Sequence, residues 1–285
     1  MDNVINNIQI FVKKIYTSYT KLPMKIRFIL ILLFFMMLFV ASVSFKNSTK
    51  RQEEINNKPG IVENNREKDR DSSNIGNKNT IPVPKEVKIV IDPGHGGEDW
   101  GAIKGDLFEK DLNLDISLKL GKILEEKKIN VIYTRQEDID VSLDERVNIA
   151  NNNDATLFIS VHNNYMPNDA AYRGTETLYC VPVNPEENKM DGQKLAAIVQ
   201  KKLVSTLKTV DNGTIHRPNL VVLRKTNMPA VIAEIAYISN SSDREKLLDE
   251  GFRQKAAEAL AEAVMEALDF MKAKTNEKGE WIIMD

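Results

Sequence analysis

A single cysteine, Cys180, in a chain of 285 residues excludes an internal disulfide. It also leaves no thiol beside the apolar stretch near the N-terminus for lipid attachment. Cys180 closes the apolar run Thr175–Val181 and reads as a small buried hydrophobe. No strong charge of either sign is present: the formal net charge is −2, which gives no footing for nucleic-acid binding. There is no G-x-S-x-G elbow, and the cysteine lies in no nucleophile motif, so covalent hydrolase chemistry has little support. No internal repeat or second domain is evident. Histidine is scarce as well, with three in the whole chain.

Two of those three histidines end apolar runs. Val87–Gly97 reads VKIVIDPGHGG, a buried-strand pattern stopped by Asp92-Pro93-Gly94, which places His95 on a tight turn. Ala155–Asn164 reads ATLFISVHNN and ends in the same way at His162. Between them Glu109 opens a helix whose apolar positions step through Leu112, Ile116, Leu120, Ile123 and Leu124. Two imidazoles and one carboxylate form the set of a catalytic zinc site, which leaves a fourth position to water. A plainer reading of Glu109 is an N-terminal acid favoured by the helix dipole. Pro229–Ala233 is a third apolar run, and Glu234 is the first charge after it. A carboxylate at the end of a core strand is costly unless paired or close to a cation, so it serves either a metal-bound water or a salt bridge to Arg224 or Arg244. Arg135 and Arg146 read as structural partners of carboxylates such as Asp144, and Asn163 and Asn164 orient either substrate or loop backbone.

DPGHGG, the GAI…EKDLNL stretch, Thr134-Arg135, SLDERVNIAN, FISVHNN and VLR…MPAVIAE…ISN together resemble the zinc-dependent N-acetylmuramoyl-L-alanine amidases, in order, from Val87 to about Met271. The resemblance implies one zinc per chain held by His95, Glu109 and His162, with Glu234 as the catalytic residue. It implies a substrate, peptidoglycan, cut between the muramic acid lactyl group and L-alanine. Within the family the chain is similar to the germination-specific amidase of spore formers, which implies a role in cortex maturation and muramic-δ-lactam formation. A vegetative wall amidase for cell separation or turnover is the alternative. A two-metal phosphoesterase and a non-catalytic wall-binding scaffold are remoter rivals, separated by metal stoichiometry and by the presence of all four expected groups. The chain departs from the family pattern at His216 and Arg217, and at Ala236 and Tyr237, where Gly and Phe are usual. His216 reads as facing solvent or peptide.

The strand and helix alternation predicts an α/β fold, which the family refines to a mixed, roughly six-stranded sheet covered by helices on both faces. Expected strands lie at about 87–92, 129–134, 155–161, 174–181, 219–223 and 230–234, and helices at about 110–127, 144–152, 191–207, 242–249 and 252–272. Residues 1–27 read as a short cytoplasmic segment and 28–45 as a membrane anchor or uncleaved signal. Residues 46–85 read as a disordered polar linker, 86–272 as the catalytic domain and 273–285 as a tail. Lys13, Lys14, Lys21, Lys25 and Arg27 before the apolar segment outweigh Lys46, Lys50 and Arg51 after it, which predicts an extracytoplasmic catalytic domain; a cortex role would place it in the forespore intermembrane space. With no wall-binding repeat in view, an accessory protein that positions or activates the domain is expected.

Overall fold

The computed structural model describes residues 84–167, 170–181 and 186–284. The segment 1–27, the apolar stretch 28–45 and nearly all of the linker lie outside these residues. Among the described residues no helix is long and apolar enough to cross a membrane.

After a short strand β1 (Pro84–Glu86), the Val- and Ile-rich run forms β2 (Lys88–Pro93). A small hairpin, β3 (Ile103–Lys104) and β4 (Leu107–Phe108), leads straight into α1 (Glu109–Glu126). There follow β5 (Asn130–Tyr133), α2 (Leu143–Asn152), β6 (Leu157–Asn164) and β7 (Thr175–Tyr179). The rest of the main sheet comes from β8 (Asp211–His216) and β9 (Ala230–Tyr237), with α3 (Gly192–Leu207) before β8 and α4 (Val221–Arg224) after it. Two helices, α5 (Ser241–Leu248) and α6 (Glu250–Phe270), and two short strands, β10 (Lys274–Thr275) and β11 (Trp281–Met284), end the chain.

The six strands lie in the order β5-β2-β6-β9-β7-β8. β5, β2, β6 and β9 run parallel, β7 is antiparallel to β9, and β8 runs parallel to β7, so the sheet is mixed as expected. Because side chains alternate along a strand, Ile89, Ile91, Leu157, Ile159, Val161, Val231, Ala233 and Ile235 face one way, into the larger core with α1, α3 and α6. In α1 the buried positions Leu112, Ile116, Leu120 and Leu124 recur every four residues, and each such side chain stabilises by roughly 1.5–3 kcal/mol. The face of α6 is lined with Ala256, Ala257, Ala263 and Ala267, short enough for α1 and α3 to approach closely. The opposite side of the sheet carries a smaller core of Val90, Phe158, Leu178 and Ile232 under α2 and α4. Ser142 caps α2 by accepting from the Glu145 amide at 3.2 Å, and Asp191 caps α3 through the Lys194 amide at 2.9 Å.

Two expectations differ from the structure. Residues 219–223, expected as a strand, instead turn into α4, and the edge strand is β8. The Arg217 amide donates to the Tyr179 carbonyl at the end of β8 and Pro218 has no N–H to extend the ladder; folding into a helical turn then buries Val222 and Leu223, overriding their β-propensity. The stretch set apart as a tail forms β10 and β11, and β11 pairs with β1 in an antiparallel three-stranded sheet. The Trp281 indole packs on the larger core and donates to the Lys127 carbonyl at 2.9 Å, so chain segments 154 positions apart are tied together.

Candidate metal centre

The carboxyl ends of β2 and β6 and the N-terminus of α1 converge on one edge of the sheet, and each delivers one group. His95, Glu109 and His162 offer ligand atoms that all lie within 4.8 Å of one another. Glu109 Oε2 is 3.2 Å from His95 Nε2, and its Oε1 is 2.9 Å from His162 Nδ1. The imidazoles meet edge to face with centroids 4.9 Å apart. The other nitrogen of His95, Nδ1, is 2.8 Å from Asp99 Oδ2, the second carboxylate that commonly orients a metal-binding imidazole. Glu109 is further fixed by the amides of Ala102 (2.8 Å) and Asn163 (3.1 Å) and by the Asn113 side chain (3.3 Å).

His95 sits in the left-handed region at φ 60°, a conformation that costs a non-glycine residue about 1–3 kcal/mol and persists only where its surroundings enforce it. Two buried arginines do so. Arg146 donates to the carbonyls of Pro93 (2.7 Å) and His95 (2.8 Å) while pairing with Asp92 at 2.6 Å. Arg135 donates to the carbonyls of Pro93 (3.0 Å), Gly94 (2.9 Å) and Lys110 (2.8 Å), linking the His95 turn to the first turn of α1. Asp92 in turn accepts from Thr134 (2.6 Å) and Ser160 (2.7 Å). Gly94 is required for space: a Cβ there would lie 2.2 Å from the His162 ring. Gly101 is required twice over, by its φ of +64° and because a Cβ would lie 2.6 Å from Glu109 Oε2 and from the His95 ring.

Burial opposes charge in this cluster, yet opposite charges overcome it. The hydrogen bonds from His162 and His95 hold the Glu109 carboxyl well below the usual carboxylate range. Against its own burial, His95 is raised to about 9 by Glu109 and Asp99, and His162 is raised by Glu109. Glu234 behaves in the opposite way. Burial is the main influence and, with help from Glu109 and Glu176 against the pull of His162 and His95, pushes its carboxyl up to about 7. Glu234 is the register partner of His162 across β6 and β9 and is 9% exposed, and its Oε2 is buried without a hydrogen-bond partner among the described residues. The two arginines expected as its partners bond elsewhere: Arg224 donates to the Pro218 carbonyl (3.4 Å) and Arg244 to the Ile238 carbonyl (3.1 Å). A cavity of about 440 Å³ opens beside His95 and His162, walled by Asp140–Leu143 and Leu220–Val222.

Two imidazole nitrogens and a carboxylate at these spacings, with outer carboxylate and amide support, are a donor set that fits zinc. The structure thus brings together His95, Glu109, His162 and Glu234. His216 lies apart, tilted over Tyr179 with centroids 5.5 Å apart, and Cys180 is half-buried. Arg146 is structural as expected, although its partner is Asp92; Asp144 pairs with Lys225 at 2.8 Å. The Asn163 side chain donates to Asn113 (2.8 Å) and that of Asn164 to Glu176 (2.8 Å). The roles of Asp92, Asp99, Asn113 and Glu176 escaped the sequence reading. The available signals were an aspartate four residues after His95 and an acid inside the apolar run of β7.

Residues 89–266 match the profile of the family described as N-acetylmuramoyl-L-alanine amidase. Among curated proteins, the amidase LytC of Bacillus subtilis is 37% identical over 190 residues, which is 66% of this chain and 37% of LytC. The germination-specific N-acetylmuramoyl-L-alanine amidase of the same organism is 26% identical over 200 residues, covering 65% of this chain and 81% of that protein. Among solved structures, the catalytic domain of CwlV from Bacillus (Paenibacillus) polymyxa var. colistinus superposes with TM-score 0.59 at 34% identity, covering 65% of this chain and 99% of that one. The CwlD amidase of Clostridioides difficile, solved in complex with the GerS lipoprotein, gives TM-score 0.59 at 29% identity, covering 64% and 98%.

Proposed function

The chain belongs to the N-acetylmuramoyl-L-alanine amidase family, and from that premise we propose that His95, Glu109 and His162 hold one zinc ion and that Glu234 is the general base. The bond cut joins the lactyl group of N-acetylmuramic acid to L-alanine of the stem peptide. A zinc ion in this set supplies Lewis-acid polarisation of the amide carbonyl and lowers the pKa of a coordinated water towards ~7. Glu234 takes the proton of the attacking water and passes it to the leaving nitrogen, a role that calls for a carboxylate poised near the working pH. Asp99 keeps the His95 ring oriented through Nδ1, so that Nε2 faces the cluster. Arg146 and Arg135 hold the carbonyls of the His95 turn, which keeps the donor set preorganised.

The observation that carries this reading is the buried, partnerless Oε2 of Glu234 beside His162. Digestion of purified peptidoglycan with the zinc-loaded protein tests it. Mass spectrometry is expected to show free stem peptides beginning with L-alanine together with peptide-free glycan; intact muropeptides, or peptides cut internally, would overturn it.

The spore cortex is the proposed setting, with the catalytic domain outside the cytoplasm and an accessory protein at hand. Support comes from the match along most of the germination-specific amidase and from the likeness to an amidase solved with a lipoprotein. The higher identity with LytC favours a second setting, the vegetative wall. Spores of a deletion strain decide between them. Loss of muramic-δ-lactam supports the cortex role, whereas normal lactam with unseparated vegetative cells supports the other.

A further inference from the structure

Beyond Glu234 the ladder between β6 and β9 is interrupted. His162 pairs with Glu234, but Asn164 pairs with Tyr237, so β9 carries one residue more than β6 across this step. A bulge of this kind loosens the local ladder and re-aims the neighbouring side chain. Here it directly follows the proposed base.

Three side chains from three strands close over the bulge. Glu176 on β7 lies directly across from Glu234 and on the same face; it is 6% exposed. Its Oε1 accepts from Asn164 Nδ2 of β6 at 2.8 Å, and that amide also donates to the Tyr237 hydroxyl of β9 at 3.2 Å. Burial and the neighbouring Glu176 carboxylate push the Tyr237 phenol up, so Asn164 bridges two groups that sit side by side. Asn164 Oδ1 is taken by the Tyr165 amide at 2.7 Å, so the amide group cannot rotate without losing bonds at both ends. Tyr237 is fully buried, with Tyr172 edge-on against it at 5.0 Å. By contrast Glu234 has no partner of its own on Oε2 and takes its position from the backbone beneath it.

We propose that Glu176 is a positioning residue for Glu234. Through Asn164 and Tyr237 it clamps the bulge between β6 and β9 and so holds the Glu234 carboxylate aligned with His162. The proposal rests on the base role assigned to Glu234. It also gives the phenol at position 237 a task that a phenylalanine would not perform, because without the hydroxyl Asn164 loses one of its two acceptors.

The test compares Glu176→Ala, Glu176→Gln, Tyr237→Phe and Glu234→Gln, alone and with Glu176→Ala added to Glu234→Gln. Each protein is assayed on muropeptides for kcat and KM, and for zinc content and amide exchange across residues 234–238. Glu176→Ala is expected to lower kcat by ~10–100-fold, the scale of a small misplacement of a reacting group, with KM and zinc content unchanged and exchange at the bulge accelerated. Glu176→Gln, which still accepts from Asn164, recovers part of the rate, and Tyr237→Phe loses a few-fold. In the Glu234→Gln background Glu176→Ala costs nothing further, as expected for a residue that acts through another. Full kcat in Glu176→Ala, a loss confined to KM or zinc, or additive losses in the double variant would each overturn the proposal. If Glu176→Ala does not fold, Tyr237→Phe decides, and an unchanged kcat there refutes the clamp. Near-normal turnover in Glu234→Gln would instead refute the base assignment on which it stands.

Discussion

The two faces of the sheet are made by the same strands and yet have opposite characters. Along β6, Leu157, Ile159 and Val161 point into the larger core, while Phe158, Ser160 and His162 point the other way. In β9, Val231, Ala233 and Ile235 alternate with Ala230, Ile232 and Glu234 in the same manner. On the face covered by α1, α3 and α6 the strand side chains are mainly apolar, and the buried exceptions Asn163, Thr175 and Thr177 are hydrogen-bonded to neighbouring elements. On the face covered by α2 and α4 the apolar layer gives way, towards the carboxyl ends, to Asp92, Ser160, His162, Glu234 and Glu176. One face therefore supplies stability, and the other uses part of that stability to keep buried polar and strained groups in place. Buried polar groups of this kind are normally hydrogen-bonded, which is why Asp92 has three donors and Glu109 several; of the partnerless buried atoms among the described residues, Ser117 Oγ, Asn163 Oδ1 and Glu234 Oε2, the last belongs to a carboxyl group.

The sharpest way to break this comparison is at the polar face. Glu234→Gln is expected to lose ~10²–10⁴-fold in turnover while keeping zinc and fold, whereas His162→Ala is expected to lose zinc and activity together. Metal analysis and kinetics on both variants check the division of roles, and zinc loss from Glu234→Gln would reverse it.

Stability divides differently. Asp92→Asn leaves the Arg146 guanidinium buried without its counter-charge and is expected to cost about 3–5 kcal/mol in denaturant unfolding. Its pH dependence has a definite sign. Although burial opposes it, Arg146, Thr134 and Ser160 hold the Asp92 carboxyl below its ordinary value. The stabilisation is thus fully present above the unfolded pKa of ~3.9 and is lost as pH falls through the folded one. Acid titration of unfolding is expected to show this decline in the native protein and to lack that component in Asp92→Asn.

On the apolar face, Leu120→Ala is expected to cost roughly 2–5 kcal/mol with no change in zinc affinity of the folded fraction. A smaller effect belongs to the rim. Trp281→Ala is expected to cost about 1–2 kcal/mol, less than full burial of a large side chain, and to release β11 to proteolysis without touching turnover. Equal sensitivity of catalysis to Leu120→Ala and Glu234→Gln would erase the distinction between the faces.

Much of this was legible along the chain, because the relevant signals are local. Apolar runs located β2, β6 and β9, the four-residue recurrence located α1, and the groups that reached the site were the histidine on the turn that stops β2 and the titratable residues that end the runs of β6 and β9. Residues 219–223 read as a strand for the same reason: the run Leu220–Leu223 is apolar and its two valines carry β-propensity, while the burial that turned them into α4 comes from β9 and α2. Glu176 went unnoticed because its role depends on strands β6 and β9, not on its neighbours in β7.

The sequence by itself determined the α/β character from its strand and helix alternation and the membership in the amidase family from its motifs, and it singled out His95, Glu109, His162 and Glu234 as groups at strand or helix ends that meet at one edge of the sheet. Only the tertiary structure decided which charges find partners. Arg146 meets Asp92 across 54 positions and Ser160 meets Asp92 across 68, and the left-handed turn of His95 depends on carbonyls that those arginines reach from α2 and from the loop after β5. Such pairings depend on distances created by the packed sheet, and no local pattern of residues encodes them.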